Sequence, residues 1–230
     1  MGGPSAERGA NQLTLLRHWG LRPSARVLEI GCGVGRLAYE LAAYLDDGTY
    51  TGFDISPKAI GWLNEHYAPR LPNFRFDLVD ARNARYRPRG ADAETVRFPY
   101  ADGQFDVVGA FAVFMHMQLP EIRRYCEEIA RVLAPDGFAA VTFRSVHEGE
   151  ALPRTRDREW VPVGAGVWSI FPETPGRALA YDDALVRSTI ADAGLVVAGA
   201  VTGRWHRRPI DPGSPALGAD AYIVRPTPAA

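Results

Sequence analysis

The chain of 230 residues carries 26 basic and 27 acidic side chains, with 47% apolar and 23% charged residues. Those proportions suit one generous folded domain with its own core and exclude an intrinsically disordered chain. A net charge of −1 argues against domain-wide attraction to nucleic acid or anionic lipid, and two cysteines, Cys32 and Cys126, are too few for a disulfide scaffold.

The start, MGGPSAERGANQ, has no apolar signal-peptide core. Gly2 lacks the Ser or Thr at position 6 that myristoylation needs, since Ala6 stands there. Residues 1–10 and the tail 226–230 read as frayed ends. The longest apolar run, Val107 to Met115, is far too short to span a bilayer. A cytoplasmic protein is the expectation, and one lysine (Lys58) against 25 arginines points to a GC-rich bacterial source.

A first strand, Arg26–Ile30, is closed by glycines, and a helix follows from Gly35 to about Leu45 with Leu37, Leu41 and Tyr44 at helical spacing. A second strand, Tyr50–Phe53, ends in Asp54, after which Ser56 caps a helix and Pro57 suits its first turn. Phe74–Val79 and Phe105–Ala112 read as the third and fourth strands. Pro120 opens a helix reaching about Leu133, and Pro135-Asp136-Gly137 turns it into a fifth strand, Phe138–Phe143. Asp182 or Asp183 starts another helix, stopped by Gly194. Strands over Leu195–Val201 and Ala221–Val224 complete a parallel α/β rhythm. Two polar, proline-rich stretches break it, Arg82–Pro99 and Ser145–Pro175. Long loops at the carboxyl ends of strands suit lids or binding loops, and 145–175 reads as a substrate-covering insertion.

The sharpest signal is Glu29-Ile-Gly31-Cys32-Gly33-Val-Gly35, between a strand and a helix. Glycines let the backbone turn tightly and approach a ligand closely. Arg36 stands where a dinucleotide fingerprint needs its third glycine, and no GKS or GKT follows. Asp54, ending the next strand, sits where a carboxylate accepts ribose hydroxyls. Asp80, ending the third, sits where one accepts an adenine amino group. Each reads equally as a turn former or helix cap taken singly. Together they describe a nucleoside pocket whose acidic groups suit a sulfonium better than a pyrophosphate.

At these residues the sequence resembles the class I S-adenosylmethionine-dependent methyltransferases. LEIGCGVGRL resembles their first motif, GFDIS the second and VDA (79–81) the third, while FDVVGAFAVFMHM and ARVLAPDGFAAVTF resemble later ones. The resemblance implies one Rossmann-like domain over 1–230. Its sheet has seven strands in order 3-2-1-4-5-7-6, the last antiparallel, with helices on both faces. It also implies S-adenosylmethionine as cofactor, S-adenosylhomocysteine as product, and a cofactor site of Glu29, Gly31, Cys32, Gly33, Gly35, Asp54, Ile55, Asp80, Ala81 and Phe111. A bacterial small-molecule subgroup is nearer still, through Asn83-Ala-Arg-Tyr86-Arg87-Pro88-Arg-Gly90, Ala112–Met117, Gly203-Arg-Trp205-His-Arg207 and Ala219-Asp220. Arg87, Ala112, Met115 and Ala219 depart from that subgroup on the expected substrate side, so its substrate does not transfer.

Methyl transfer from a sulfonium is an in-line displacement needing orientation and a dry site, and a hydroxyl acceptor also needs a base. His116 is the candidate base, since imidazole titrates near neutrality; the alternative is a packed histidine among Phe114, Met115 and Met117. Tyr86, Met115, Arg144, Trp168 and Trp205 are the candidates for the acceptor side. Trp160, Trp168 and Trp205 read either as pocket walls or as a second small core. The arginine clusters 82/85/87/89 and 204/207/208 (with His206) read either as anion holders or as solvated loops. No metal ligand set is expected, and the Asp pairs 182–183 and 102–106 read as a helix start and a turn. The expected activity is methylation of a small molecule, at oxygen, with nitrogen or carbon acceptors, or a sulfonium-binding protein that transfers nothing, as alternatives. A nucleic-acid or protein substrate is disfavoured, because nothing outside the domain would grip a macromolecule.

Overall fold

A helix, α1 (Pro4–His18), opens the chain where the sequence reading expects a frayed start. The computed structural model describes residues 4–83, 85–155, 157–206, 208–210 and 213–228, with side chains from residue 7 onward; Gly2, Ala84 and Arg207 lie outside the described residues. Two features hold α1 down. Leu15 and Leu16 are fully buried, and Gly9 lies so close to the next helix, α2 (Arg36–Ala42), that a Cβ would stand 2.6 Å from the Arg36 carbonyl oxygen. A mostly polar helix kept in place by two leucines and one close approach gives little periodic signal in sequence.

The strands β1 (Arg26–Ile30), β2 (Thr49–Asp54), β3 (Phe74–Leu78), β4 (Phe105–Ala110) and β5 (Leu133–Phe143) fall where the apolar runs predict them. Between them lie α2, α3 (Pro57–His66) and α4 (Leu119–Val132). Ser56 caps α3 by accepting from the Ala59 amide, with Pro57 in the first turn. Differences sit at strand ends. Strand β4 stops at Ala110 because Ala112 turns left-handed at φ 59°, and the expected turn at 135–137 is a bulge inside β5, whose pairing with β4 jumps from Phe105–Leu133 to Val107–Phe138.

Next come four short strands, β6 (Ser145–Val146), β7 (Val161–Gly164), β8 (Val167–Ser169) and β9 (Leu179–Asp182), then α5 (Asp183–Asp192), β10 (Leu195–Val201) and β11 (Asp220–Pro226). The main sheet has seven strands in the order β3-β2-β1-β4-β5-β11-β10. Pairing is parallel from β3 to β5 and antiparallel on both sides of β11. This is the order 3-2-1-4-5-7-6 that the resemblance implies. Side-chain alternation divides β1 between two cores. Val27 joins Leu15, Leu37 and Leu63 from α1–α3, while Leu28 and Ile30 join Ile122, Ile129 and Val186 from α4 and α5.

The insertion after β5 is not an open loop. Strands β6-β9-β8-β7 form a second sheet, with a two-residue hairpin at Ala165-Gly166, where Gly166 has φ 67°. Tail residue Thr227 still donates its amide to the Gly194 carbonyl, so the chain is tied down into the segment expected to fray.

Candidate active site

At the carboxyl ends of β1, β2 and β4 a cavity of about 500 Å³ opens. Loops there are what a parallel sheet leaves free to vary. Of the cofactor candidates, Gly31, Gly33, Asp54, Ile55, Ala81 and Phe111 line it. Of the acceptor-side candidates, Tyr86 and His116 line it.

The glycine loop needs its glycines. Gly31, Gly33 and Gly35 have φ of 71°, 54° and 77°, a region that costs other residues about 1–2 kcal/mol. At Gly31 a Cβ would stand 2.7 Å from Val113, and at Gly35 2.8 Å from Leu63, so packing forbids side chains there. At Gly33 a Cβ would meet no protein atom within 4 Å. Its bareness therefore serves the cavity rather than the core. Asp54 locks the loop: Oδ2 accepts from the Gly33 amide and Oδ1 from the Ser56 amide, both at 2.8 Å.

Four cofactor candidates stand away from the cavity. Glu29 is buried beneath the loop and accepts a 2.5 Å hydrogen bond from the Tyr50 hydroxyl. Burial first, then the charge of Asp54, lifts its carboxyl to about 8, against the pull of the Tyr50 bond. Cys32 is buried with its thiol pushed far above the ordinary range by desolvation and by Glu29 and Asp54, which leaves it inert. Gly35 packs under α3. Asp80 points outward to Arg87, with an N–O distance of 2.8 Å, while Arg87 also donates to the Ile55 carbonyl. The neighbouring Ala81 takes the wall position expected of Asp80.

His116 sits in a short 3-10 turn, Phe114–His116, after β4. Its carbonyl accepts from the Asn83 amide nitrogen at 2.8 Å, and its Nδ1 lies 2.8 Å from the Arg177 carbonyl oxygen. A carbonyl only accepts, so Nδ1 carries the proton and Nε2 keeps its lone pair. Burial, then the charges of Arg85 and Arg144, push the imidazole down to about 4, below the neutral range the sequence reading assumed. The ring is uncharged at neutral pH. The Tyr181 hydroxyl, set against the carbonyls of Phe114 and Met117, fixes the same turn from β9.

Other acceptor-side candidates have structural work instead. Met115 is buried off the cavity. Trp168 sits in β8, paired with Pro162 and Ala180. Trp205 donates to Asp220 at 2.9 Å and meets Trp160 edge-on. Buried Asp220 also accepts from Ser145, the Gly203 amide and Arg208, so Trp205 and Trp160 belong to a second cluster packed around Asp220. Arg144 stands beside His116 without lining the cavity. Sequence reasoning missed Arg8, brought to the cavity by α1, and Asn83, Val113 and Tyr125. Asn83 and Val113 carried a sequence signal, through the Asn83–Gly90 and Ala112–Met117 stretches; the Asn83 Oδ1 accepts from the Arg85 and Tyr86 amides and shapes that turn.

A family model described as a methyltransferase domain matches residues 27–137. The 27-O-demethylrifamycin SV methyltransferase of Amycolatopsis mediterranei is 33% identical over 121 residues, 53% of this chain and 39% of that protein. The chain spans about two fifths of the length of the curated relatives it matches. Among solved structures, the Burkholderia thailandensis 1,6-didemethyltoxoflavin-N1-methyltransferase with bound 1,6-didemethyltoxoflavin and S-adenosylhomocysteine is similar at TM-score 0.60 and 16% identity, covering 97% of this chain and 79% of that one. The [4+2]-cyclase SpnF is similar at TM-score 0.55 and 24% identity, covering 83% and 58%. At these identities the structural likeness is one of fold.

Proposed function

We propose that the chain is a class I S-adenosylmethionine-dependent methyltransferase that methylates a small-molecule acceptor, at oxygen, with His116 as general base. One observation carries the reading: the glycine loop with Asp54, and Tyr86 with His116, line one cavity of about 500 Å³, within the usual range of about 300–1,000 Å³ for ligand sites.

The cavity suits the cofactor. Each Asp54 oxygen accepts one backbone amide and keeps acceptor capacity for a ribose hydroxyl. Gly33 leaves its side open, and Ala81 and Phe111 offer apolar surface for a base. Bound S-adenosylmethionine supplies the electrophilic methyl. The chain orients the acceptor, excludes water, and takes the hydroxyl proton on His116 Nε2, its tautomer held by Arg177. The insertion folded around β6–β9 holds the His116 turn through Arg177 and Tyr181, in keeping with a cover over the acceptor side of a single domain.

Oxygen is favoured by that base and by the relative whose name places transfer at a 27-oxygen. The similar N1-methyltransferase keeps nitrogen acceptors as the alternative, and the similar cyclase favours testing transfer itself. Calorimetry with S-adenosylhomocysteine tests the cofactor site, where absence of binding discards the reading. Labelled methyl transfer to phenols, sugars, carboxylates and amines then separates methylation from a non-transferring role. Among the described residues no helix is long and apolar enough to cross a membrane. A cytoplasmic site of action is part of the same proposal.

A further inference from the structure

Behind His116 lies a pair of arginines that the proposed transfer chemistry does not use. Arg144 directly follows β5, and its carbonyl accepts from the Tyr181 amide at 2.9 Å, which fixes its backbone between the two sheets. Its Nη1 is buried and has no hydrogen-bond partner. Among the described residues its side chain meets no carboxylate within ion-pair distance. Arg85 donates from Nη1 to the Arg177 carbonyl at 2.9 Å, the same oxygen that accepts from His116 Nδ1, and its guanidinium carbon lies 5.1 Å from the Tyr86 ring centroid. Arg85, too, has no carboxylate partner among the described residues.

A buried guanidinium donor with no acceptor is costly, and so are two like charges held close. Desolvation first, then the charge of Arg85, holds Arg144 below its ordinary pKa. Tyr181 and Tyr86 are the other titratable groups around it, and neither is acidic at neutral pH. Glu121, which acts on Tyr181 electrostatically, is committed to the Gln118 amide at the start of α4. By contrast with Arg144, other partly buried arginines are paired: Arg131 and Arg124 with Glu128, and Arg208 with Glu150 and Asp220. The chain thus pairs its inner arginines wherever they serve the fold. It leaves Arg144 unpaired beside the candidate base, with the exposed Arg85 next to it.

We propose that the methyl acceptor is an oxyanion, a carboxylate or phosphate monoester, whose negative group extends past His116, beyond the residues that line the cavity, to Arg144 and Arg85, while its nucleophilic atom faces His116. The inference rests on the reading of the cavity as a methyltransferase site and names the class of its acceptor. Guanidinium forks match both carboxylate and phosphate oxygens, often in two parallel bonds. An acceptor gripped in this way has one orientation, which is what in-line displacement requires.

The test uses the full chain loaded with S-adenosylhomocysteine and titrated calorimetrically, at low ionic strength, with benzoate, phenyl phosphate and the neutral benzamide. At least one anion is expected to bind tenfold or more tightly than benzamide. That preference is expected to disappear in Arg144→Met and to weaken in Arg85→Met. Whichever of benzoate and phenyl phosphate binds more tightly identifies the oxyanion. Cofactor-product binding in the same samples reports that each variant is folded and its nucleoside site intact. Equal binding of benzamide and both anions, no anion binding by protein that binds S-adenosylhomocysteine, or an anion preference unchanged in both variants overturns the inference and leaves the methyltransferase reading standing. Failure of S-adenosylhomocysteine to bind wild-type protein overturns both.

Discussion

The Tyr50 hydroxyl passes over Gly52 to reach Glu29, donating to Oε2 at 2.5 Å beneath the nucleoside side of the cavity. A Cβ on Gly52 would stand 2.5 Å from that hydroxyl, so the neighbouring glycine is what makes the contact possible. A buried tyrosine hydroxyl needs an acceptor, and Glu29 supplies it while remaining protonated at neutral pH.

A pH signature follows. The Glu29 carboxyl stands at about 8 in the folded chain against 4.5 ordinarily. Between those values the folded state holds a proton that the unfolded state has lost, so stability falls as pH rises. The contribution is fully present below about 4.5 and is lost through about 8. Thermal unfolding of wild type and Glu29→Gln from pH 5 to 9 isolates it. The wild-type melting temperature is expected to fall more steeply than the variant's across this range; parallel curves would mean that Glu29 is ionised when folded.

On the proposed function Asp54 has two duties, and its loss is expected to show in two measurements. Asp54→Ala removes a charge-assisted acceptor of ribose hydroxyls worth on the order of 1.5–3 kcal/mol, so S-adenosylhomocysteine affinity falls at least about tenfold. It also frees the Gly33 and Ser56 amides, which lowers stability by about 1–3 kcal/mol. Normal cofactor-product affinity in a destabilised but folded variant would confine Asp54 to the turn.

The same residue shows how much was legible in the sequence. Strand ends, the glycine spacing and the acidic partner are local signals, and β1, β2 and β4 place them together without help from distant residues. Asp80 carried the same signal but does not line the cavity; its carboxylate pairs with Arg87, a position where the subgroup resemblance breaks. Arg8 was hidden in a helix held by Leu15, Leu16 and one glycine contact. Trp168 and Trp205 were legible as pocket walls or as packing residues, but not as which; both are half-buried, Trp168 in β8 and Trp205 against Trp160 and Asp220. Nothing local says that Asp220 gathers Trp205, Ser145, the Gly203 amide and Arg208. Such assignments depend on contacts across tens of residues.

Arg144→Met also predicts a stability change of unusual sign. Most substitutions of partly buried residues destabilise. Here the change removes a buried donor without an acceptor and a repulsion with Arg85, and keeps much of the apolar stem. The melting temperature is expected to stay level or to rise by about 2–4 °C, corresponding to about 1 kcal/mol. A fall of several degrees in differential scanning calorimetry would show that Arg144 supports the fold through its aliphatic packing or through water.

The base prediction concerns His116 and applies to an oxygen acceptor. With Nδ1–H fixed on the Arg177 carbonyl, Nε2 is the site that takes the hydroxyl proton, and it works only while the ring is neutral. Burial and the two arginines hold the imidazole at about 4. The ring is therefore neutral and competent at every pH above that value, and protonation removes the base as pH falls through it. The kcat/KM profile, which reports the free enzyme, is expected to be flat from neutrality down to about pH 5 and to drop with an apparent pKa near 4. An ordinary exposed histidine would instead begin to fail at 6–7. His116→Ala is expected to lower turnover by about 10²–10⁴-fold, and His116→Gln to abolish the acid limb, both with S-adenosylhomocysteine affinity barely changed. If proximity alone carries the reaction, the loss stays below about tenfold and the limb persists in both variants, because only packing against Tyr86 has been disturbed. A limb near 4 that vanishes with the imidazole would tie the proton transfer to this ring, and its absence in active wild-type protein would return His116 to a wall of the cavity.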